Sequence, residues 1–338
     1  MLPTDPRVLH DIVKAYDVRG TVPDQLNADV AYALGVGFAS FCGGDRVLIG
    51  HDMRPSGPEL VEAFARGVRE QGLDVVLLGL ASTDLVYFAA GTLDAPAAMF
   101  TASHNPAQYN GVKFCLAGAR PVGQDTGLDV VKAVAIDVLE GRGPAAAATA
   151  GGTSEHDLLG AFADHVVSFI DVNAIRPMKV VADTANGMGG LVVPAVFERI
   201  PQITLEVMYG ELDGTFPNHP ADPLQPANQR DLQARVVAGG FDVPQCVRER
   251  QHEHPLPLGP HDRDQTLDRR LVEAGLGEGE GQELDRLVGV LDQHLERAAD
   301  GVGPGLRFVQ EDIDAMQDLG DRHAGRSRAD RHRQGVGV

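Results

Sequence analysis

A serine, a histidine and an asparagine stand side by side in Thr101-Ala-Ser-His-Asn-Pro106, at the end of an apolar run over residues 97–100. A serine that carries a phosphoryl group can donate it to a substrate hydroxyl and be regenerated afterwards. Such a transfer needs positive charge and a proton carrier, which His104 and Lys113 could supply. Ser-His-Asn-Pro is also an ordinary polar turn, and the tetrapeptide alone leaves both interpretations open.

Alternating strand and helix patterns must position this loop. A helix follows the first of the predicted strands, with Ser56 and Glu59 spaced as a capping box. Two parallel strands around that helix form a βαβ unit with an expected right-handed crossover. Because ligands of parallel sheets gather beyond the carboxyl ends of the strands, Ser103 lies where a site is expected. The predicted strands are 46–50, 75–79 and 97–101.

A second α/β unit is predicted after residues 141–153, which have too little apolar bulk to pack. Helical spacing over 158–169 leads to a strand at 178–183, a glycine-rich turn, another helix and a strand at 204–209. The sequence therefore predicts an α/β fold with a first domain over residues 1–142 and a second over 154–240.

The composition excludes several classes of function. A chain of 338 residues with 43% hydrophobic residues can bury a substantial core, and its net charge of −19 argues against binding to nucleic acid or an anionic membrane. Three scattered cysteines exclude a disulfide framework, and the sequence shows neither an export signal nor a membrane span. These features favour the cytoplasm.

Five segments occur in the same order as in the alpha-D-phosphohexomutase family, and over about residues 10–240 the chain resembles its bacterial phosphomannomutase/phosphoglucomutase branch. The resemblance implies a three-layer α/β/α fold in both domains. It also implies interconversion of the 1- and 6-phosphates of mannose or glucose through a bisphosphorylated intermediate. The segments are Ala15-Tyr-Asp-Val-Arg-Gly20, Thr101-Ala-Ser-His-Asn-Pro106, Tyr109-Asn-Gly-Val-Lys-Phe114, Asp183-Thr-Ala-Asn-Gly187 and Asp213-Gly-Thr-Phe-Pro-Asn-His-Pro220.

The resemblance assigns the chemistry to three residues. Ser103 is expected to be the phosphoserine, and Mg²⁺ is expected to bind its phosphate. His104 or Lys113 is expected to be the acid/base. From the sequence alone, Lys113 is also compatible with an exposed strand residue.

Further residues are expected to contact or support the transferring group. By resemblance, Tyr16, Arg19 and Asn105 bind the substrate or its phosphate, although Tyr16 is also compatible with a packing aromatic and Arg19 with a surface ion pair. The segment His51-Asp-Met-Arg-Pro-Ser56 is similar to an Arg-Asp-x-Arg segment of the family, with His51 in place of the first arginine. We therefore expect Asp52 and Arg54 to brace the serine loop.

The resemblance stops near residue 240. In the family, the helix matching 231–238 leads into an apolar strand and then into an Asp-Gly-Asp-x-Asp-Arg loop that holds Mg²⁺. In this sequence the helix is followed instead by Gly239-Gly-Phe-Asp-Val-Pro-Gln-Cys246. We expect this strand of the second sheet to be missing and the magnesium site to be incomplete, because a hard cation needs clustered oxygen ligands. The later sugar and phosphate loops of the family are also absent from the sequence.

The missing loops leave three functional interpretations. The first is a phosphohexomutase that acts on a hexose phosphate with weak or no turnover. The second is an inactive remnant or a sugar-phosphate-binding fragment, and the third is a non-catalytic interaction protein with unknown protein partners.

Residues 241–338 form a tail unlike the family. They contain no Lys, Tyr or Asn but six of the twelve histidines. Apolar spacing predicts one helix over 282–299, and the last residues are too polar to form a core, so part of the tail is expected to be disordered.

We hypothesise that the tail derives from a shifted reading frame, because the composition changes abruptly inside the second domain. Translation of the gene in every frame tests this. We expect an alternative frame to encode an Asp-Gly-Asp-x-Asp-Arg loop followed by the missing family segments. If no frame encodes them, the hypothesis is wrong.

Overall fold

The computed structural model of the chain describes residues 4–241 and the backbone of 243–246. The rest of the predicted tail lies outside these residues, and the predicted domain boundaries stay predictions. The helices are α1 (Val8–Ile12), α2 (Ala28–Cys42), α3 (Gly57–Glu70), α4 (Thr83–Thr92), α5 (Leu128–Leu139), α6 (Leu159–Val167), α7 (Gly189–Phe197) and α8 (Arg230–Gly239). The strands are β1 (Val18–Thr21), β2 (Arg46–His51), β3 (Asp74–Leu80), β4 (Ala97–Phe100), β5 (Tyr109–Leu116), β6 (Arg120–Pro121), β7 (Thr153–Glu155), β8 (Met178–Asp183), β9 (Ile203–Met208) and β10 (Val243–Cys246).

The larger sheet places the serine loop at its edge. Its strand order is β1-β5-β4-β2-β3-β7, with β6 paired to β5. Strands β2, β3, β4 and β7 are parallel, whereas β5 runs antiparallel to both β1 and β4. Strands β2 and β4 end together, with His51 opposite Phe100, and the chain returns along β5 from Tyr109. The loop between β4 and β5 therefore leaves the sheet at the carboxyl ends of two neighbouring parallel strands.

Side chains of this sheet alternate between two hydrophobic cores. Val47 and Ile49 face the core formed with α2, α3 and α5, whereas Leu48 between them faces the core that contains α4. This is the two-residue period of a strand buried on both faces. The first core includes Phe38 stacked on Phe114, with ring centroids 4.5 Å apart. Helices therefore cover both faces of the sheet, which confirms the expected α/β fold.

The smaller sheet has the strand order β10-β8-β9, and both pairings are parallel. Its helices α6 and α7 pack into the same core as α4, with Phe162 and Val196 among the buried residues. The expectation that the strand after α8 is missing is therefore wrong, because Val243–Cys246 pairs along β8. Strand pairing uses backbone groups, and Pro244 is tolerated because β10 is the last strand in this order.

The predicted capping box of α3 is also wrong. Ser56 has helical backbone angles and its side chain caps no amide of the helix. Instead, the Ser56 hydroxyl accepts a hydrogen bond of 2.9 Å from the Asn110 side-chain amide on β5. A long-range partner has replaced the local one.

Among the helices of the described residues, none is both long and apolar enough to cross a lipid bilayer.

Helices α2 and α3 approach each other so closely that one position requires glycine. A Cβ atom on Gly35 of α2 would lie 2.2 Å from the carbonyl oxygen of Phe64 on α3. That oxygen belongs to the backbone and cannot move aside as a flexible side chain would. The packing of these two helices on the sheet therefore depends on Gly35.

We expect Gly35→Ala to lower the free energy of unfolding by about 1–3 kcal/mol, because overpacking outweighs the better helix propensity of alanine. Gly160→Ala in α6 is the matched control, since its Cβ would meet only the end of the Arg199 side chain at 3.7 Å. We expect no loss there. Urea unfolding followed by circular dichroism measures both, and equal losses would contradict the packing argument.

Candidate active site at the serine loop

Ser103 has a backbone conformation that needs external support. Its φ angle is +51°, in the left-handed region, and the residue is buried. For a residue other than glycine this region costs about 1 kcal/mol or more. Within the loop, the Asn105 amide donates to the Ala102 carbonyl at 3.0 Å, and the Tyr109 amide donates to the Pro106 carbonyl at 3.0 Å. These two bonds shape the turn but leave the carbonyl of Ser103 to be paired from outside.

Arg54 supplies that pairing from the segment that follows β2. Its side chain is 0% exposed, and each of the five guanidinium N–H groups has an acceptor. Four acceptors are carbonyls of the serine loop and the first residue of β5, so a single planar group fixes the path of the loop. The acceptors are Asp52 Oδ2 at 3.2 Å, Ser103 O at 2.8 Å, Asn105 O at 2.7 Å, Pro106 O at 2.8 Å and Tyr109 O at 2.8 Å.

Asp52 links the other side of the loop to the same arginine. Its Oδ2 accepts the Thr101 hydroxyl at 2.7 Å, and Thr101 Oγ1 accepts the Ser103 amide at 2.9 Å. Burial raises the pKa of Asp52, while the charge of Arg54 and the hydrogen bonds to the carboxylate oppose that shift. Ser103 is therefore held through both its carbonyl and its amide. Asp52 and Arg54 have the bracing role predicted for them.

Two cations lie next to this loop on adjacent strands. Arg19 on β1 donates to Asp17 Oδ2 at 2.6 Å and to Asn105 Oδ1 at 2.8 Å, and Lys113 Nζ on β5 lies 3.4 Å from the same Asp17 oxygen. The side chains of Arg19 and Lys113 are 21% and 11% exposed. Arg19 therefore forms an ion pair that is partly buried, whereas the interpretation of Lys113 as an exposed strand residue is wrong.

Gly111 allows β1 to lie this close to the serine loop. A Cβ atom there would be 2.2 Å from the Val18 carbonyl oxygen on β1 and 2.9 Å from the Thr101 carbonyl oxygen. The Thr101 amide also donates to the Gly111 carbonyl at 3.1 Å. The glycine of the Tyr-Asn-Gly-Val-Lys segment thus brings the strand that carries Arg19 against the residue that precedes the loop.

Tyr16 and His104 occupy different positions around the loop. Tyr16 is 48% exposed, which does not fit a packing aromatic. His104 and Ser103 line a cavity of about 110 Å³ between the two domains, together with apolar side chains of α6 and α7 such as Phe162 and Val193. His104 therefore lines the same cavity as Ser103, while Tyr16 stands at the surface.

The second domain places an aromatic ring over Arg54. The ring of Phe216, in the Asp-Gly-Thr-Phe segment, lies 5.3 Å from the guanidinium carbon of Arg54. His219 Nε2 lies 3.0 Å from Asp183 Oδ2, and its Nδ1 lies 2.9 Å from the Pro220 carbonyl oxygen. Both ring nitrogens have protein partners, so His219 is a loop histidine with its hydrogen-bonding groups satisfied.

The described residues do not fit the magnesium ion that the resemblance implies. In the part of the chain that the structure describes, no group of three or more His, Cys, Asp or Glu side chains could hold a metal. Asp17 and Asp52, two carboxylates close to the serine loop, pair with Arg19 and Lys113 and with Arg54. Mg²⁺ keeps several waters among its oxygen ligands, but the protein commonly supplies one or two carboxylates beside a phosphate, and these two carboxylates are engaged by cations instead.

Three residues that shape the site were not predicted from the sequence. Asp17 stands two positions before Arg19, and the two-residue period of an extended strand was a signal that both point the same way. Thr101 and Phe216 gave no local signal, because their roles depend on contacts with Asp52 and Arg54 from distant segments.

We expect Arg54→Lys to lower the free energy of unfolding by about 3 kcal/mol or more, because lysine has three donors and would leave buried carbonyls unpaired. Hydrogen exchange at the amides of 101–109 should also accelerate. Arg235→Lys is the control, since Arg235 binds both oxygens of Glu206 in a more exposed pair and should lose less. Urea unfolding and hydrogen exchange measure both variants, and equal losses would argue against the brace.

Comparison with known proteins matches both α/β units of the chain to one family. The phosphoglucomutase/phosphomannomutase models for alpha/beta/alpha domains I and II match residues 10–136 and 160–244. A Xanthomonas campestris pv. campestris protein described as "Phosphohexose mutases" is 40% identical over 228 residues, which are 66% of this chain and 49% of that protein. A phosphoglucomutase of Neisseria meningitidis is 36% identical over 70% of this chain and 50% of its own length. A phosphomannomutase of Salmonella montevideo is 34% identical over 68% and 51%.

Solved structures agree with the sequence matches. A phosphoglucomutase/phosphomannomutase family protein from Burkholderia thailandensis superposes with a TM-score of 0.61 and 31% identity, over 71% of this chain and 52% of that one. The chain spans about half the length of the curated relatives it matches. Both domain models match in order and together cover most of the described residues. The chain therefore belongs to the alpha-D-phosphohexomutase family.

Proposed function

We propose that this chain transfers phosphoryl groups to and from hexose phosphates, with Ser103 as the carrier. The observation that carries the proposal is the set of contacts holding Ser103 in a left-handed conformation, through Arg54 at its carbonyl and Thr101 at its amide. A residue kept in an unfavourable conformation by surrounding contacts is typical of a functional position. A turn that served only to connect β4 and β5 would not require a fully buried arginine.

The charges around the loop support phosphoryl transfer in particular. Arg19 and Lys113 bring two positive charges against one carboxylate, that of Asp17, so the trio keeps one net positive charge beside the loop. A phosphoryl group in transfer spreads negative charge over its oxygens, and positioned cations stabilise it. The chain as a whole has a net charge of −19, so the positive charge of this trio is opposite in sign to the charge of the whole chain.

In the proposed reaction, a hexose bisphosphate donates a phosphoryl group to the Ser103 hydroxyl. A bond forms between phosphorus and Ser103 Oγ, and the bond between phosphorus and the sugar oxygen breaks. The serine proton leaves with the help of His104 or Lys113, and the sugar oxygen takes up a proton. In the other half of the cycle, phosphorylated Ser103 gives its phosphoryl group to the free 6-hydroxyl of a hexose 1-phosphate and forms the bisphosphate. That bisphosphate then gives its 1-phosphoryl group to Ser103, so that a hexose 6-phosphate leaves and the exchange is complete.

The substrate class follows from the relatives, whose names include phosphoglucomutase and phosphomannomutase. We propose hexose phosphates as a class, because the family loop that reads the sugar is not found in this sequence. We expect repeated turnover to be weak or absent, since the described residues supply no cluster of oxygen ligands for magnesium.

A second candidate is a sugar-phosphate-binding fragment without catalysis. The observation that favours it is the same lack of a metal-binding cluster in the described residues, combined with a match to about half of each relative. The two candidates differ in one step, the formation of the covalent bond to Ser103. An assay of that step alone separates them without requiring turnover.

We expect the full chain, incubated with glucose 1,6-bisphosphate, to gain one phosphoryl group, detected by intact-protein mass spectrometry and located on Ser103 by peptide mapping. Ser103→Ala should gain none, because the accepting hydroxyl is gone. Ser168→Ala, at an exposed serine, is the control and should be labelled like the unchanged chain. A coupled assay with glucose 1-phosphate then measures turnover.

Two results would count against this function. If Ser103→Ala is labelled as fully as the unchanged chain, Ser103 is not the carrier. If no variant is labelled but the chain binds glucose 6-phosphate in a calorimetric titration, the binding fragment is the correct interpretation.

A further inference from the structure

One carboxylate oxygen contacts both cations of the site. Asp17 Oδ2 lies 2.6 Å from Arg19 Nη2 and 3.4 Å from Lys113 Nζ. The Asp17 side chain is only 10% exposed, and it comes from the residue that directly precedes β1. The two cations belong to neighbouring strands, because Arg19 pairs with Gly111 in the register of β1 and β5. A single side chain thus holds together groups that come from distant parts of the sequence.

Without that carboxylate the two cations would repel each other. Both nitrogens approach the same oxygen atom, so they lie close together in a region with little water to screen them. Long arginine and lysine side chains have many rotamers, and without Asp17 mutual repulsion would favour those in which the charges separate. The anion therefore does more than neutralise charge, because it sets where both cations point.

Arg19, which Asp17 holds, also contacts the serine loop. Arg19 uses its other nitrogen, Nη1, to donate to Asn105 Oδ1 at 2.8 Å, and the carbonyl of Asn105 is one of those held by Arg54. Lys113 lies on β5 opposite Met99 of β4, the strand that runs into the loop. Asp17, Arg19 and Asn105 thus form a continuous chain of contacts from β1 to the residue two positions after Ser103.

We propose that Asp17 is a positioning residue for phosphoryl transfer, which keeps Arg19 and Lys113 directed at the group on Ser103. This inference rests on the proposed function and adds a residue to it. The side-chain contacts described for Asp17 are those with Arg19 and Lys113, so it acts through the two cations. The competing interpretation is a structural ion pair that only ties β1 to β5.

Asp17→Asn separates the positioning role from the structural role because asparagine keeps the shape of the aspartate side chain and removes its negative charge. One amide oxygen can still accept from Arg19, so the strand pair should stay folded, but the carboxylate charge that Lys113 pairs with is gone. We expect the rate of Ser103 labelling by glucose 1,6-bisphosphate to fall about tenfold or more, as misplacement of reacting groups does. The bisphosphate concentration at half-maximal rate should stay the same or fall, because the site becomes more positive.

Asp17→Glu and Asp5→Asn are the matched variants. Asp17→Glu restores the charge on a longer stem and should recover part of the labelling rate. Asp5→Asn removes a carboxylate from an exposed pair with Arg7 near the same end of the chain, and should label at the unchanged rate. If Asp17→Asn labels at the unchanged rate, or if its loss matches the fraction of unfolded protein and Asp17→Glu restores nothing, the positioning role is overturned.

A second readout works even if Ser103 takes up no phosphoryl group. Acetic anhydride modifies free amines, and the ion pair with Asp17 should protect Lys113 in the unchanged chain. We expect Asp17→Asn to raise the modification rate of Lys113 severalfold, with Lys179 on β8 as the internal reference. Unlabelled Ser103 together with this increase would refute the proposed function and leave the positioning intact, whereas an unchanged rate at Lys113 would overturn the positioning itself.

Discussion

The pairing of Arg54 with the carbonyls of the serine loop is the interaction on which the rest of the site depends. A buried arginine is costly unless all of its donors are satisfied, and here five acceptors surround it, one of them charged. Its planar guanidinium cannot bend, so the carbonyls of the loop must come to it. Ser103 has its left-handed conformation within this set of bonds, and its own carbonyl is one of the acceptors.

This arrangement requires the ends of three neighbouring strands to lie at the same place, where β2 and β4 end and β5 begins. Arg54 and Asp52 follow β2, the serine loop follows β4, and Tyr109 begins β5, so the brace joins the ends of adjacent strands in the order of the sheet. The carboxyl ends of parallel strands form a common edge, and helix-covered faces leave that edge as the accessible part of the sheet. The fold therefore determines where the loop lies, and Arg54 determines its shape.

The sequence predicted the strands and the serine loop because both depend on local patterns. Apolar runs such as 97–100 are buried whatever surrounds them, and the Arg54 brace followed from the resemblance to a family segment. Predictions failed where a distant partner competed with a local one. Ser56 pairs with Asn110 rather than with its own helix, and Phe216 packs over an arginine of another domain. Spacing along the chain carries no information about such partners.

The described residues separate two requirements that a mutase combines. In the proposed function, a phosphoryl group is held by cations and an oriented hydroxyl, which come from Arg19 on β1, Lys113 on β5 and Ser103 in the loop after β4. Coordinating a divalent cation needs clustered ligands, and the described part of the chain has no group of three or more His, Cys, Asp or Glu side chains that could supply them. The geometry of the residues that would hold the phosphoryl group does not depend on a metal-binding cluster. Capture of a phosphoryl group can therefore persist in a chain whose repeated turnover is impaired, and phosphorylation of Ser103 is the step by which such a chain should be judged.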